Sequence, residues 1–376
     1  MRRLLLLILA LPLFGPAMAQ DRAAFVTTLG ADTLAVERFW QTEDGVEADV
    51  VLRTPRTTRT QYRLTLDADG DVARYEAVTR TPGEDEPTRR VVAEPEGDSL
   101  VVRVTEGAEM GTRRVVRVAG ALPFIDMVHW PFELMLTRAA GRDIAQPLFT
   151  ERGTLDFEVG TDAAGRRTVT HPFRGTMTVE TDAEGRLQSL DAGATTRALT
   201  VTRTDGVDLD ALTDRFAARD AAGQPFGPLS GRGETTAQVG GATISVDYGQ
   251  PARRGRDLFG ALVPWGELWR TGANRATHLT TDRDLVLGGL AVPAGQYTLF
   301  TIPEPDGGVL IVNRETGQNG NSYDPSRDLG RVPMTRSERA ESVEPFTIEV
   351  AETADGGALR LVWGNDAFTV PFSVAE

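Results

Sequence analysis

The chain contains no cysteine, no lysine and only three histidines. The missing cysteine excludes a disulfide framework, a thiolate nucleophile and a zinc–thiolate site. In an oxidising compartment it also removes the risk of mispaired thiols. His129, His171 and His278 lie far apart, so a metal site built on them would need carboxylates beside them. All 40 basic side chains are arginine. This preserves a planar donor fork at every cationic position, but it reads as composition rather than function. Catalytic signatures are also missing. There is no Gly-x-Ser-x-Gly elbow, no His-Glu-x-x-His zinc motif and no phosphate-cradling loop, and nothing points to a cofactor or a bound metal.

No apolar run reaches the length of about 20 residues that a membrane span needs. The most apolar stretch, Leu4 to Leu11, follows Arg2 and Arg3 and precedes Ala17-Met18-Ala19. A basic start, a short apolar centre and a small-x-small end form a secretory leader. Residues 1–19 are therefore expected to be removed, with no cysteine following to carry a lipid. The product is expected in the periplasm or outside the cell, with no stable membrane span. The formal net charge is -14. That argues against nucleic acid and against an anionic membrane surface, both of which call for a basic face. It favours solubility.

What the chain does have is β patterning. Residues 20–205 run as short alternating segments broken by Asp/Gly turns. Tyr62, Leu64 and Leu66 lead through Asp67-Ala68-Asp69-Gly70 into Ala73, Tyr75 and Ala77, a hairpin. Leu100, Val102 and Val104 are expected to pair with Val116 and Val118. Thr161-Asp162-Ala163-Ala164-Gly165-Arg166 and Thr181-Asp182-Ala183-Glu184-Gly185-Arg186 repeat one turn solution, since Asp tolerates the turn and Gly supplies positive φ. Leu122 to Ala140 breaks the pattern with apolar residues at helical spacing, despite Pro131. It reads as one or two short helices over one sheet face, either as core packing or as a lid over an apolar pocket. Residues 206–231 hold a helix, Asp208 to Asp220, then a Gly/Pro-rich linker. Residues 232–376 read as about eight short strands. The fold class is all-β and mainly antiparallel. It comprises a curved N-terminal sheet or half-barrel and a C-terminal β-sandwich, jelly-roll being the type the strand count suggests.

The densest stretch is Phe259 to Asn274, with two of the five tryptophans. Its ordered neighbours are Val246-Asp247-Tyr248-Gly249-Gln250-Pro251, Arg254-Gly255-Arg256, Ala294-Gly295-Gln296-Tyr297-Thr298-Leu299-Phe300 and Val343-Glu344-Pro345-Phe346. Together with Leu262-Val263-Pro264-Trp265-Gly266 and Trp269-Arg270-Thr271-Gly272-Ala273-Asn274, this series resembles domain-of-unknown-function family 2911, found in exported bacterial proteins. The resemblance covers roughly residues 232–376 and implies an envelope β domain with no settled activity. An acidic residue is common in that family where this chain has Arg275, so no catalytic carboxylate is carried to that position. On hairpin pattern alone, residues 21–230 resemble the half-barrel lipoprotein carriers of the envelope.

Trp265 and Trp269 lie four apart, as do Arg270 and Asn274. One reading is a binding platform for a small molecule or envelope component. Indole faces would stack on a ring while Arg270 and Asn274 fix a polar or anionic group, with Tyr248 and Arg256 as further candidates. The other has both indoles plugging the sandwich end and Arg270 paired to a carboxylate such as Asp247. A hydrolase of a carbohydrate or ester would need paired carboxylates, and Asp247 with Glu267 is the pair to nominate. A structural envelope protein without a small ligand is the third reading. His278 with Asp282 or Asp284 is a weak base candidate. The polar run Asn313 to Asp328 suits a surface loop better than a Ca²⁺ loop, since its spacing is not that of an EF-hand. The leader predicts a mature protein beginning at Gln20. Intact-mass measurement of the exported product tests this, and a mass retaining residues 1–19 would refute it.

Overall fold

The computed structural model describes residues 22–375, and the leader with its cleavage point lies outside them. Among the described residues, β strands dominate, with two α-helices and one short 3-10 turn. No helix there is long and apolar enough to cross a membrane.

The first fifteen strands form one sheet. Strands run as a meander from Ala23–Leu29 outward to Glu109–Val116, and again from Leu199–Thr204 back to Leu122–Pro123. The two meanders join where Ala23–Leu29 pairs antiparallel with Leu199–Thr204, placing Ala24 opposite Thr204. The sheet is curved but not closed into a barrel. Three of its turns share one design. Asp67, Asp162 and Asp182 each accept, through Oδ1, the amides two and four residues on, at 2.9–3.1 Å. Gly70, Gly165 and Gly185 then take φ near +80°, a conformation that costs a residue with a Cβ.

Helix α1 (Trp130–Ala139) fills the concave side. Trp130 and Met135 are fully buried, and Phe132 and Leu136 nearly so. Pro131 occupies the first turn, where its missing N–H is no loss. The residue before the helix, His129, offers no side-chain cap. The cap comes instead from the sheet. The buried Glu37 carboxylate accepts from the His129 amide at 2.7 and 2.9 Å and from the Trp130 amide at 2.9 Å. It thereby satisfies two orphan donors and meets the positive end of the helix dipole. Further along, Glu133 accepts from Arg203 at 2.8 Å and from the Leu187 amide at 2.7 Å. The segment 122–140 is thus core rather than lid, and only its second half is helical. Leu122–Pro123 is a strand end paired parallel to Leu148–Phe149.

One register differs from expectation. Leu100 faces Val115, and Ser99 faces Val116. The turn is Gly107-Ala108, three residues shorter than a Gly107-to-Gly111 loop, so pairing shifts by an odd number of residues and turns Val116 outward at 74% exposure. An odd shift exchanges the two faces of a strand.

Helix α2 (Leu209–Ala221) is capped by Asp208, whose side chain accepts from the Ala211 amide. The Gly/Pro segment after it is docked, not free. Phe226 and Leu229 pack on the N-terminal core, the Gly227 amide donates to Pro55 O, and Arg53 lies over the Phe216 and Phe226 rings.

The second sheet has nine strands, beginning at Ser230–Val239. Its last two strands are long, Asp328–Thr353 and Gly356–Val374, in place of several short ones. Asp328–Thr353 pairs with Gly307–Asn313 near its start and carries register breaks between Glu338 and Thr347. Beyond the breaks it crosses the beginning of the sheet, where Thr235 Oγ1 donates to Ile348 O at 2.6 Å. The sheet thus folds over itself as a β-sandwich-like layer pair around Leu299, Phe346 and Trp363.

Glu37→Ala leaves two buried amides without an acceptor and removes the helix cap. A buried donor left unpaired costs about 1–3 kcal/mol. Urea denaturation is expected to show a loss of roughly 3 kcal/mol, with α1 losing amide-exchange protection first. An unchanged midpoint would exclude the pinning role.

Candidate functional site

The central stretch closes one end of the C-terminal sandwich. Trp269 is fastened by a two-way backbone bridge, its amide donating to Thr301 O at 2.7 Å and its carbonyl accepting from the Thr301 amide at 2.9 Å. One indole face lies parallel to Trp363 at 6.0 Å and 8°, and Phe346 meets it edge-on at 5.1 Å. The turn that follows is strained. Thr271 has φ +55° and Asn274 has φ +63°. Asn tolerates this conformation, but for a β-branched threonine it is an outlier. Thr271 is held there by full burial, a hydroxyl bond to Thr301 at 3.2 Å and a carbonyl that accepts from Thr277 at 2.7 Å. Gly249 makes room for the turn, since a Cβ there would sit 1.9 Å from Ala273 O.

This turn aims Arg270 into a cleft of about 480 Å³ between the two sheets, within the size range of small-molecule sites. From the C-terminal side, Trp269, Arg270, Asn274, Arg256 and Arg254 line it. From the N-terminal side come His171, Phe173, Arg174 and Arg197. Among the described residues five arginines and no acidic residue line it, in a chain of net charge -14.

The arginines differ in how they are held. Arg270 Nη1 donates to Asn321 Oδ1 at 2.9 Å, and its Nε makes a long 3.4 Å contact to Gly272 O. Among the described residues no carboxylate bonds it. Burial lowers its pKa, and the nearby Arg197 charge lowers it further. Arg256 donates to three carbonyls, Arg253 O, Ala252 O and, across the cleft, Thr196 O. It therefore ties the two sheets together while adding its charge. Arg254 donates to Leu229 O, and its amide bonds Glu344. Burial followed by neighbouring arginines lowers both pKa values. On the opposite wall, Asp126 holds Arg174 at 2.6 Å and also pairs with Arg197.

His171 is 6% exposed. Its Nδ1 accepts the Phe173 amide at 3.1 Å, so in the neutral ring Nε2 carries the proton. Burial first, and Arg174 second, push its pKa down to about 4. The ring is thus a neutral N–H donor near pH 7.

Of the residues singled out from sequence, Trp269, Arg270, Asn274 and Arg256 meet in the cleft. Trp265 and Tyr248 do not. Trp265 stacks on Phe259 at 5.9 Å, over the space left by Gly260, with Arg336 across its ring. Tyr248 is buried, meeting Phe346 edge-on and covering Gly233. Asp247 is taken by Arg232 at 2.7 and 2.8 Å, not by Arg270. Glu267 is exposed. Neither acid lines the cleft, so the paired carboxylates of a hydrolase are missing there. His278 accepts the Gly317 amide through Nε2, while Asp282 and Asp284 bond backbone amides of Thr243 and Ala294. The ring therefore clasps a loop and bonds neither Asp282 nor Asp284; the acid whose charge it feels is Asp247, its register partner. Asp328 in that loop is bonded by Asn313, Tyr323 and Arg331. Among the described residues no group of three or more His, Asp or Glu side chains is placed to hold a metal. His171, Phe173, Arg174 and Arg197 escaped the sequence reading because they come from the other sheet. Their one local signal is His171-Pro172-Phe173-Arg174, a turn that leaves Phe173 75% exposed.

The unfolded chain protonates His171 near pH 6.5, whereas the folded chain resists until about pH 4. Its contribution is therefore complete above pH 6.5 and is lost as the pH falls toward 4, amounting to roughly 3 kcal/mol at about 1.4 kcal/mol per pKa unit. His171→Asn keeps an acceptor for the Phe173 amide but does not titrate. Between pH 7 and 4 its stability is expected to fall less than that of the wild type, and parallel pH curves would refute the assignment.

No curated protein matches the chain. Among solved structures, similarity extends to a "Beta-barrel-like Protein of Domain of Unknown Function DUF1849 from Brucella abortus", 15% identical, covering 49% of this chain and 94% of that one, with a TM-score of 0.31. Residues 230–372, which make up nearly all of the nine-stranded sheet and its side of the cleft, match the family described as Protein of unknown function (DUF2911).

Proposed function

We propose that this is an exported bacterial binding module whose cleft between the sheets takes a small molecule bearing an anionic group. The observation that carries the reading is Arg270. It is a half-buried guanidinium that, among the described residues, bonds only neutral acceptors in a cleft lined by no acid. A buried cation without a carboxylate is unfavourable, and a bound anion would relieve that cost. Trp269 supplies the flat apolar wall beside it, and the strained Thr271 turn fixes the arginine's position in advance. Preorganisation of this kind raises affinity because less order is lost on binding. The leader and the acidic composition support placement in the periplasm or outside the cell. There, a net negative surface would restrict anion binding to this one basic hollow.

A thermal-shift screen of residues 20–376 tests the reading with benzoate, inorganic phosphate, glucose and spermidine at matched ionic strength. Anions are expected to raise the melting temperature. A ligand at a hundred times its dissociation constant adds about 2.7 kcal/mol. Arg270→Ala should weaken the anion response at least tenfold while keeping the near-ultraviolet dichroism of the folded protein. Stabilisation by glucose or spermidine alone, or an anion response untouched in Arg270→Ala, would overturn it.

A further inference from the structure

The same cleft carries information about its ligand beyond the sign of the charge. Its lining arginines stand on both walls: Arg174 and Arg197 on the N-terminal side, Arg254, Arg256 and Arg270 on the C-terminal side. A guanidinium only donates, and among the described residues no carboxylate lines the cleft to accept from them. A ligand that completes this site is therefore rich in acceptor oxygens.

The charge balance sharpens this. Five guanidiniums line the cleft, and two carboxylates bond to their residues: Asp126 with Arg174 and Arg197, and Glu344 with the Arg254 amide. The excess is three positive charges. A single carboxylate, with one charge and two oxygens in one plane, is satisfied by one arginine fork. Donors standing on both walls call for a compact group with more charge and oxygens in more than one plane. The apolar part of the lining has a place too. Phe173 and Leu268 are 75% and 42% exposed and stand with Trp269 on the same cleft, so the anion has an apolar body to accompany it.

Resting on the reading of the cleft as an anion site, we propose that its ligand is a phosphate or pyrophosphate ester with an apolar or aromatic body, gripped from both sheets at once. The C-terminal wall supplies Arg270 and the Trp269 face. The N-terminal wall supplies Arg174 and Arg197. Both sheets are then needed for affinity, and the C-terminal sheet by itself would hold only half of the site.

Titration calorimetry of residues 20–376 with phenyl phosphate, inorganic phosphate, benzoate and citrate tests this. Phenyl phosphate is expected to bind at least tenfold tighter than benzoate, and tighter than inorganic phosphate. Its affinity should fall steeply with added salt, as contacts with several charges require. Arg174→Gln, in the N-terminal wall, should weaken phenyl phosphate at least tenfold. Arg197→Gln, in the same wall, should weaken it severalfold while the near-ultraviolet dichroism stays that of the folded protein. Benzoate bound as tightly as phenyl phosphate, or full phenyl phosphate affinity in both variants, would overturn the ester assignment and the two-sheet grip while leaving the anion site standing. Citrate bound more tightly than phenyl phosphate would replace the ester by a polycarboxylate. No binding of any of the four would remove both readings together.

Discussion

The buried carboxylate of Glu37 is the interaction on which the arrangement of this molecule rests. An open curved sheet has a concave apolar face that must be filled, and α1 fills it. The helix begins at His129 and Trp130 without a local side-chain cap, and the sheet provides one through Glu37. Pinning that end also fixes the chain just before it, Phe124 to Val128. This short segment carries Asp126, which sets Arg174 and Arg197 against the cleft. A helix cap contributed from the sheet thus positions one wall of the candidate site.

The other wall is set by an aromatic plug and a strained turn. Trp269 serves two purposes with its two sides, packing on Trp363 and Phe346 and lining the cleft. Packing and cleft lining therefore fall to the same indole. Thr271 holds an unfavourable backbone conformation because burial and two hydrogen bonds surround it. Such strain persists only where neighbours over-determine it. Here it fixes the direction of the preceding arginine. Arg256 then joins the walls through Thr196 O, so the cleft width depends on a cation that also contributes to its field.

Local chemistry was legible in the amino-acid sequence. Period-two alternation and three Asp-x-x-Gly turns specify hairpins, because each turn closes on its own aspartate and glycine without help from elsewhere. Asp208 marks the start of α2 for the same reason. The ordered series from Tyr248 through Asn274 to Phe346 points to the family of the C-terminal sheet, and the density of Trp, Arg and Asn in 259–274 marks one wall of the cleft.

What depends on residues far apart was decided only by the tertiary structure. The start of α1 was hidden because its cap lies 92 residues away. Val116 faces outward because an odd change of turn length exchanges the faces of a strand. Tyr248 and Trp265 share a motif with Arg270 but turn into separate packing environments, where Gly233 and Gly260 leave room for their rings. The second wall of the cleft was out of reach for the same physical reason. His171, Arg174 and Arg197 meet Arg270 only because two independently patterned sheets are packed together, and alternation within a strand carries no information about what lies across a gap between sheets.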